Sequence, residues 1–116
     1  MRPEELFDGS PVGLAVLARV TEILADPSVE VRTSKSQVAF RRKRGFAYLW
    51  RPGQYLRSPG APVVLSIVLG RHDASLRFKE VVHPAPRHWM HHLEIHAVTE
   101  VDDEVVAWVR EAFDRA

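Results

Sequence analysis

Hydrophobic residues at the start of the chain recur with the period of a helix. Ser10 followed by Pro11 predicts the helix start, because serine caps the first turn and proline tolerates its first position. Asp26-Pro27 predicts its end. The apolar face predicted from the 3.6-residue spacing comprises Leu14, Val16, Leu17, Val20, Ile23 and Leu24.

A second amphipathic helix is predicted at the end of the chain. Thr99 or Asp102 can cap it, and acidic residues in its first turn suit the positive end of the helix dipole. The apolar residues predicted to share its buried face are Val101, Val105, Trp108, Val109 and Ala112.

Between these helices, alternating polar and apolar residues predict strands. The segments concerned are 29–31, 37–43, 46–50, 63–69, 77–83 and 89–96. Segment 63–69 is apolar on both faces and predicts a central strand. Gly45 suits a hairpin turn with positive φ, and Phe46, Tyr48 and Trp50 are predicted to line one face of the strand that follows.

This order of elements predicts a single α+β domain over residues 1–116. Five or six mostly antiparallel strands lie between the two helices, and short connections let both helices cover one sheet face. The other face is then left for solvent, a partner or a ligand. We therefore expect the functional surface on the uncovered face.

The charge pattern divides the chain more sharply than its net charge of +1 indicates. Residues 31–72 contain nine lysines and arginines and no acidic residue, whereas both ends are acidic. The middle segment is therefore predicted to attract anions. Without cysteine there is neither a disulfide nor a cysteine-ligated metal site. The absence of an apolar leader or a membrane-length apolar run favours a cytoplasmic protein that does not engage a membrane.

Basic and aromatic residues near the predicted hairpin form the strongest candidate site. Arginine binds phosphate or carboxylate in a bidentate manner, and aromatic rings stack on bases. The candidate ligand-binding residues are Lys35, Arg41, Arg42, Arg44, Tyr48, Trp50, Arg51 and Arg77, with Tyr55 close in sequence. The partner would be a nucleic acid or a phosphorylated or carboxylated metabolite. The alternative is a solvated sheet edge whose charges discourage aggregation.

Histidines near residue 90 form a second candidate site. His92, Glu94 and His96 project from one strand face and could hold a metal ion. Neighbours two apart on a strand are separated by about 6.8 Å, so all three meet one ion only if the strand bends. The alternative is histidines with satisfied hydrogen bonds, and His91 is predicted to be a core histidine bonded to the backbone.

Motifs for catalysis or cofactor binding are missing. The sequence has no phosphate-binding loop and no nucleophile elbow. No serine is accompanied by a general base at a recognisable sequence spacing; the serines considered are Ser34, Ser36, Ser58, Ser66 and Ser75. The sequence therefore indicates no cofactor and favours a non-enzymatic protein.

Four short motifs occur in the order found in one known family. They are residues 33–40, 45–47, 87–95, and 101–105 with Trp108 and Ala112-Phe113. In this order they resemble the bacterial family called domain of unknown function 5655. The resemblance implies a small α-β(5)-α domain and no established activity or catalytic residues. Some members carry the domain behind a zinc ribbon, which the cysteine-free chain lacks.

Three functions remain open from the sequence. The favoured one is a binding module whose basic sheet face takes an anionic ligand. The second is a homodimer that buries Phe46, Tyr48 and Trp50 between two copies. The third is a metal-binding protein that uses the histidine strand.

Overall fold

The computed structural model describes residues 1–54 and 60–116, which form a six-stranded antiparallel sheet with helices on one face. The helices are α1 (Pro3–Leu6), α2 (Pro11–Ile23) and α3 (Asp103–Arg115). The strands are β1 (Glu30–Thr33), β2 (Val38–Arg41), β3 (Gly45–Trp50), β4 (Val63–Leu69), β5 (Glu80–Ala85) and β6 (His88–Ile95). Their order in the sheet is β1-β2-β3-β4-β6-β5. The predicted α+β class is confirmed.

One hydrophobic core joins α2 and α3 to the sheet. Alternate residues of a strand point to opposite faces, and Leu65, Ile67 and Leu93 are on the face that packs against Val16 and the other buried helix residues. Every residue of β4 is buried, which confirms its prediction as a central strand. In the described part of the chain, no helix is long and apolar enough to cross a bilayer.

Helix α2 begins as its sequence predicts. The Ser10 side chain caps it by accepting a hydrogen bond from the Gly13 N–H, at 3.1 Å. Leu14 is 37% exposed, so its prediction as a buried residue is wrong. At the start of the helix, Gly13 instead of Leu14 faces the core. The buried positions along this stripe are Gly13, Val16, Leu17, Val20 and Leu24.

Helix α3 confirms both its predicted cap and its predicted face. Asp102 accepts a hydrogen bond from the Val105 N–H at 3.2 Å, which satisfies a donor that the first turn leaves without an intrahelical partner. All five residues of the predicted apolar face are buried.

A register shift in the β2–β3 hairpin changes the predicted faces of β3. The shift falls between Phe40 and Arg41 and turns Phe46 into the core, where it is 1% exposed and its ring is nearly perpendicular to that of Phe113, with the centroids 6.0 Å apart. The prediction that Phe46 shares a face with Tyr48 and Trp50 is therefore wrong. A bulge of this kind reverses the side of one residue.

The fifth strand begins three residues later than predicted. Arg77 precedes it, and Pro84 lies within it instead of ending it. Proline is tolerated because β5 is an edge strand, where a missing N–H costs no ladder hydrogen bond. Arg77 and Lys79, which the predicted strand 77–83 included, both precede β5.

Substitution of Gly13 by alanine is expected to destabilise the protein although it favours a helix. A Cβ at Gly13 would lie 2.6 Å from the ring of the buried Phe7 and 2.9 Å from Ser10 Oγ. Overpacking costs about 1–3 kcal/mol, against a helix-propensity gain of about 1 kcal/mol. Urea unfolding should therefore show a net loss for Gly13→Ala. The exposed Ala18→Gly change measures the propensity alone, and an equal and opposite gain at Gly13 would contradict the prediction.

Candidate functional site

A groove of about 440 Å³ lies on the sheet face opposite the helices. Its described lining comprises Ser36, Gln37, Tyr48, Trp50, Ser66, Met90 and His92. Strand register assembles it, since Tyr48 pairs with Ser66 and Ser66 pairs with His92 across three neighbouring strands. The three side chains therefore form one row on one face. This is the uncovered face on which the sequence led us to expect the functional surface.

A side cavity of about 230 Å³ adjoins the groove and shares Trp50 and His92 with it. The two rings meet edge to face, with centroids 6.0 Å apart. The other residues that line the side cavity are Pro52, Val64, Lys79, Glu80 and Glu94. The aromatic pair thus stands between an uncharged polar groove and a more charged cavity.

Ser66 links the two rings of this pair through hydrogen bonds. Trp50 Nε1 is 2.8 Å from Ser66 Oγ, and Ser66 Oγ is 2.7 Å from His92 Nδ1. An indole N–H can only donate, so Ser66 accepts from Trp50. The single hydroxyl hydrogen of Ser66 is then directed to His92 Nδ1.

The protonation state of His92 agrees with this direction. Burial lowers the pKa of His92. The Glu80 carboxylate raises this pKa by a smaller amount, and the neighbouring His91 lowers it further. The ring is therefore neutral at pH 7 and can accept at Nδ1.

Sequence reasoning missed the partner of Ser66. The sequence had suggested no base for this serine, yet His92 lies within hydrogen-bond distance of it. The signal was a lone serine in an otherwise apolar strand, Val63–Leu69. Ser66 is 2% exposed and already accepts the indole hydrogen. The arrangement holds His92 in place and does not present Ser66 as a nucleophile.

The Tyr48 side chain of the groove packs closely against the backbone of Gly45. A side chain at Gly45 would overlap the Tyr48 hydroxyl, which lies against its backbone. Gly45 does not adopt the predicted positive φ, which among the described glycines occurs at Gly9. Its lack of a side chain is what lets the Tyr48 ring lie flat along β3.

Two of the predicted arginines bind main-chain oxygens away from the groove. Arg42 Nη1 donates to the Phe113 carbonyl at 2.8 Å, and its guanidinium lies 4.2 Å from the Phe113 ring centroid. Arg51 Nη1 donates to the Leu6 and Asp8 carbonyls, at 3.3 and 3.1 Å. Both join helices to the sheet, since carbonyls at helix ends lack intrahelical partners.

Two further arginines are engaged elsewhere. Arg77 forms ion pairs with Asp102 at 3.0 Å and Glu104 at 2.8 Å. Arg44 Nη1 lies 3.2 Å from His88 Nε2. The arginines predicted to share one surface are thus distributed over several elements.

Lys35 and Arg41 are the predicted cations that remain near the groove. Lys35 directly precedes its lining residues Ser36 and Gln37. Arg41 pairs with Gly45, whose open side faces the Tyr48 hydroxyl, and therefore belongs to the groove face. Neither side chain forms a hydrogen bond or a close ion pair within residues 1–54 and 60–116, although Glu30 is directly opposite Arg41 on β1. Tyr55, the third predicted aromatic residue, lies outside the described residues.

The predicted metal ligands do not converge. His92 and Glu94 line the side cavity, but Glu94 is paired with Lys79 at 3.2 Å. His96 follows the last residue of β6. Among the residues that the structure describes, no three histidine or acidic side chains could hold one metal ion. The metal prediction gains no support from these positions.

Comparison with known proteins identifies the family of the chain. A family model described as Domain of unknown function (DUF5655) matches residues 11–116. Neither the curated proteins nor the solved structures that were compared contain a match. Since the family model covers all but the first ten residues, the chain belongs to the DUF5655 family.

Proposed function

We propose that the chain is a binding module that takes a small, flat, anionic molecule in the groove. The observation that carries this proposal is the groove itself, with Tyr48, Trp50 and His92 around a volume of about 440 Å³. Ligand pockets in proteins typically measure about 300–1,000 Å³ and combine aromatic walls with a few polar groups. Ser36 and Gln37 supply such groups here.

The uncommitted cations support an anionic ligand. Lys35 directly precedes the lining residues Ser36 and Gln37, and Arg41 is on β2 opposite Glu30; neither side chain forms a hydrogen bond or a close ion pair in the described part of the chain. A carboxylate or phosphate bound beside either cation would gain charge-assisted hydrogen bonds. A planar ring attached to it would extend over Trp50.

A small molecule fits these charges better than a nucleic acid. Nucleic-acid binding draws most of its affinity from many phosphate contacts. Arg42, Arg51 and Arg77 are bound to carbonyls or carboxylates instead. The charge left near the groove suits a single anionic group.

Replacement of Trp50 by leucine is expected to weaken binding of 2-naphthoate at least about fivefold, because stacking on an aromatic ring contributes about 1–3 kcal/mol. Calorimetry and amide chemical shifts of the groove residues would measure this. Trp89→Leu is the matched control, since Trp89 stacks on His83 and does not line the groove.

Other probes separate the alternatives. Uncharged 2-naphthamide should bind more weakly than 2-naphthoate, and 2-naphthyl phosphate at least as tightly. Equal binding of the amide, or no shift of groove resonances with any of the three, would overturn the proposal. Tight, steeply salt-dependent binding of oligothymidylate would favour a nucleic acid, and groove shifts on concentration of the protein alone would favour a dimer.

A further inference from the structure

We infer that His92 selects the ligand by presenting an Nε2–H donor to the groove. The groove would then favour a planar anion that also carries a neutral hydrogen-bond acceptor, such as a ring nitrogen or carbonyl oxygen. This inference rests on the proposed function and names the class of molecule bound there. Ser66 and Trp50 act as positioning residues.

The donor follows from the tautomer of His92. A neutral imidazole has one donor and one acceptor nitrogen. Ser66 lies 2.7 Å from Nδ1, and its hydroxyl hydrogen is directed there because Oγ already accepts from Trp50. The ring proton is therefore on Nε2, which has no hydrogen-bond partner among the described residues.

The opposite tautomer would leave a buried group unsatisfied. An Nδ1–H would donate to Ser66 Oγ, which would then accept from both rings. The Ser66 hydrogen would have no acceptor among the described residues, at a side chain that is 2% exposed. Folded proteins avoid such buried unpaired groups.

The surroundings of His92 also orient the ligand. Glu80 is directly opposite His92 on β5 and carries a negative charge, whereas Glu94 in the same side cavity is paired with Lys79. Lys35 and Arg41 are on the opposite side of the groove, by β2. The anionic group of the ligand therefore belongs beside the cations, and an uncharged acceptor belongs beside His92.

The tautomer can be measured in the free protein, without any ligand. Long-range ¹H–¹⁵N spectra of His92 are expected to show a protonated Nε2 and an unprotonated Nδ1. Ser66→Ala should yield a mixture of tautomers, whereas Ser66→Thr, which keeps the hydroxyl, should restore the Nε2–H form. A predominant Nδ1–H form in the wild type would overturn the inference whether or not naphthoate binds.

Selection can be measured with ligands that differ by one atom. Quinoline carboxylates replace one ring carbon of naphthoate by an acceptor nitrogen. At least one isomer is expected to bind about fivefold more tightly than 2-naphthoate, as one net hydrogen bond of about 1 kcal/mol implies. The advantage should vanish in His92→Phe, which keeps an aromatic ring beside Trp50.

The outcomes separate this inference from the proposed function. If naphthoate binds and no quinoline isomer binds more tightly, selection by His92 is wrong and the groove function stands. If neither class binds, both proposals fail. If the advantage of one isomer persists in His92→Phe, its acceptor meets another residue and the inference is overturned.

Discussion

Replacement of His91 by leucine is expected to lower the free energy of unfolding by about 2–6 kcal/mol, because two polar groups lose their partner at about 1–3 kcal/mol each. His91 is 0% exposed. Its Nε2 accepts the Asp73 N–H at 3.0 Å, and its Nδ1 is 3.0 Å from the Trp89 carbonyl. Leucine fills a similar volume, so a cavity contributes little to the loss.

Urea unfolding with the exposed His96→Leu as control would measure this effect. A surface change of that kind is expected to stay within about 0.5 kcal/mol. The loss in His91→Leu should be accompanied by faster hydrogen exchange at Asp73, whose N–H would lose its acceptor. A variant as stable as the wild type would show that these two hydrogen bonds contribute nothing net to folding.

The second large effect is a loss of stability as the pH falls from 7 to 5. Burial lowers the pKa values of His91 and His92 below 6.5 in the folded chain. As the pH falls, these histidines therefore take up protons at a higher pH in the unfolded chain than in the folded chain. The contribution of these residues is fully present above about pH 6.5 and is lost as the pH falls through the folded pKa values, at about 1.4 kcal/mol per pKa unit for each histidine.

Between pH 7 and pH 5, the loss of stability comes from the histidines and not from the carboxylates. Hydrogen bonds from Ser75, Arg71 and Trp108 lower the pKa of Asp73, so its contribution is lost only at more acidic pH. Unfolding of wild type and His91→Leu at pH 7 and pH 5 should show a smaller pH-dependent loss in the variant. Stability that rises towards pH 5, or a His91 ring that titrates at its ordinary pKa, would contradict this expectation.

The groove and the core share the same strand. β4 carries Leu65 and Ile67 on the core face and Ser66 between them on the groove face. Since β4 is buried along its whole length, the base of the Trp50–Ser66–His92 chain cannot move without disturbing the core. The groove is therefore preorganised, which reduces the entropy lost when a ligand binds.

The sequence alone determined the features that depend on near neighbours. The Ser10 and Asp102 caps, the α3 face and the apolar β4 arise from local spacing and are found in the structure. His91 was predicted as a core histidine because it lies between apolar strand residues, and it is buried. The four family motifs are also local, and the family they indicated is confirmed.

Only the tertiary structure decided which distant residues meet. β6 lies between β4 and β5, so Ser66 and His92 pair although 26 positions separate them. A one-residue register shift removed Phe46 from the aromatic face. Hydrogen bonds to the Leu6 carbonyl of α1 and the Phe113 carbonyl of α3 likewise engage Arg51 and Arg42. Register and long-range contacts depend on how the whole sheet packs against its helices, and no local pattern of residues encodes that.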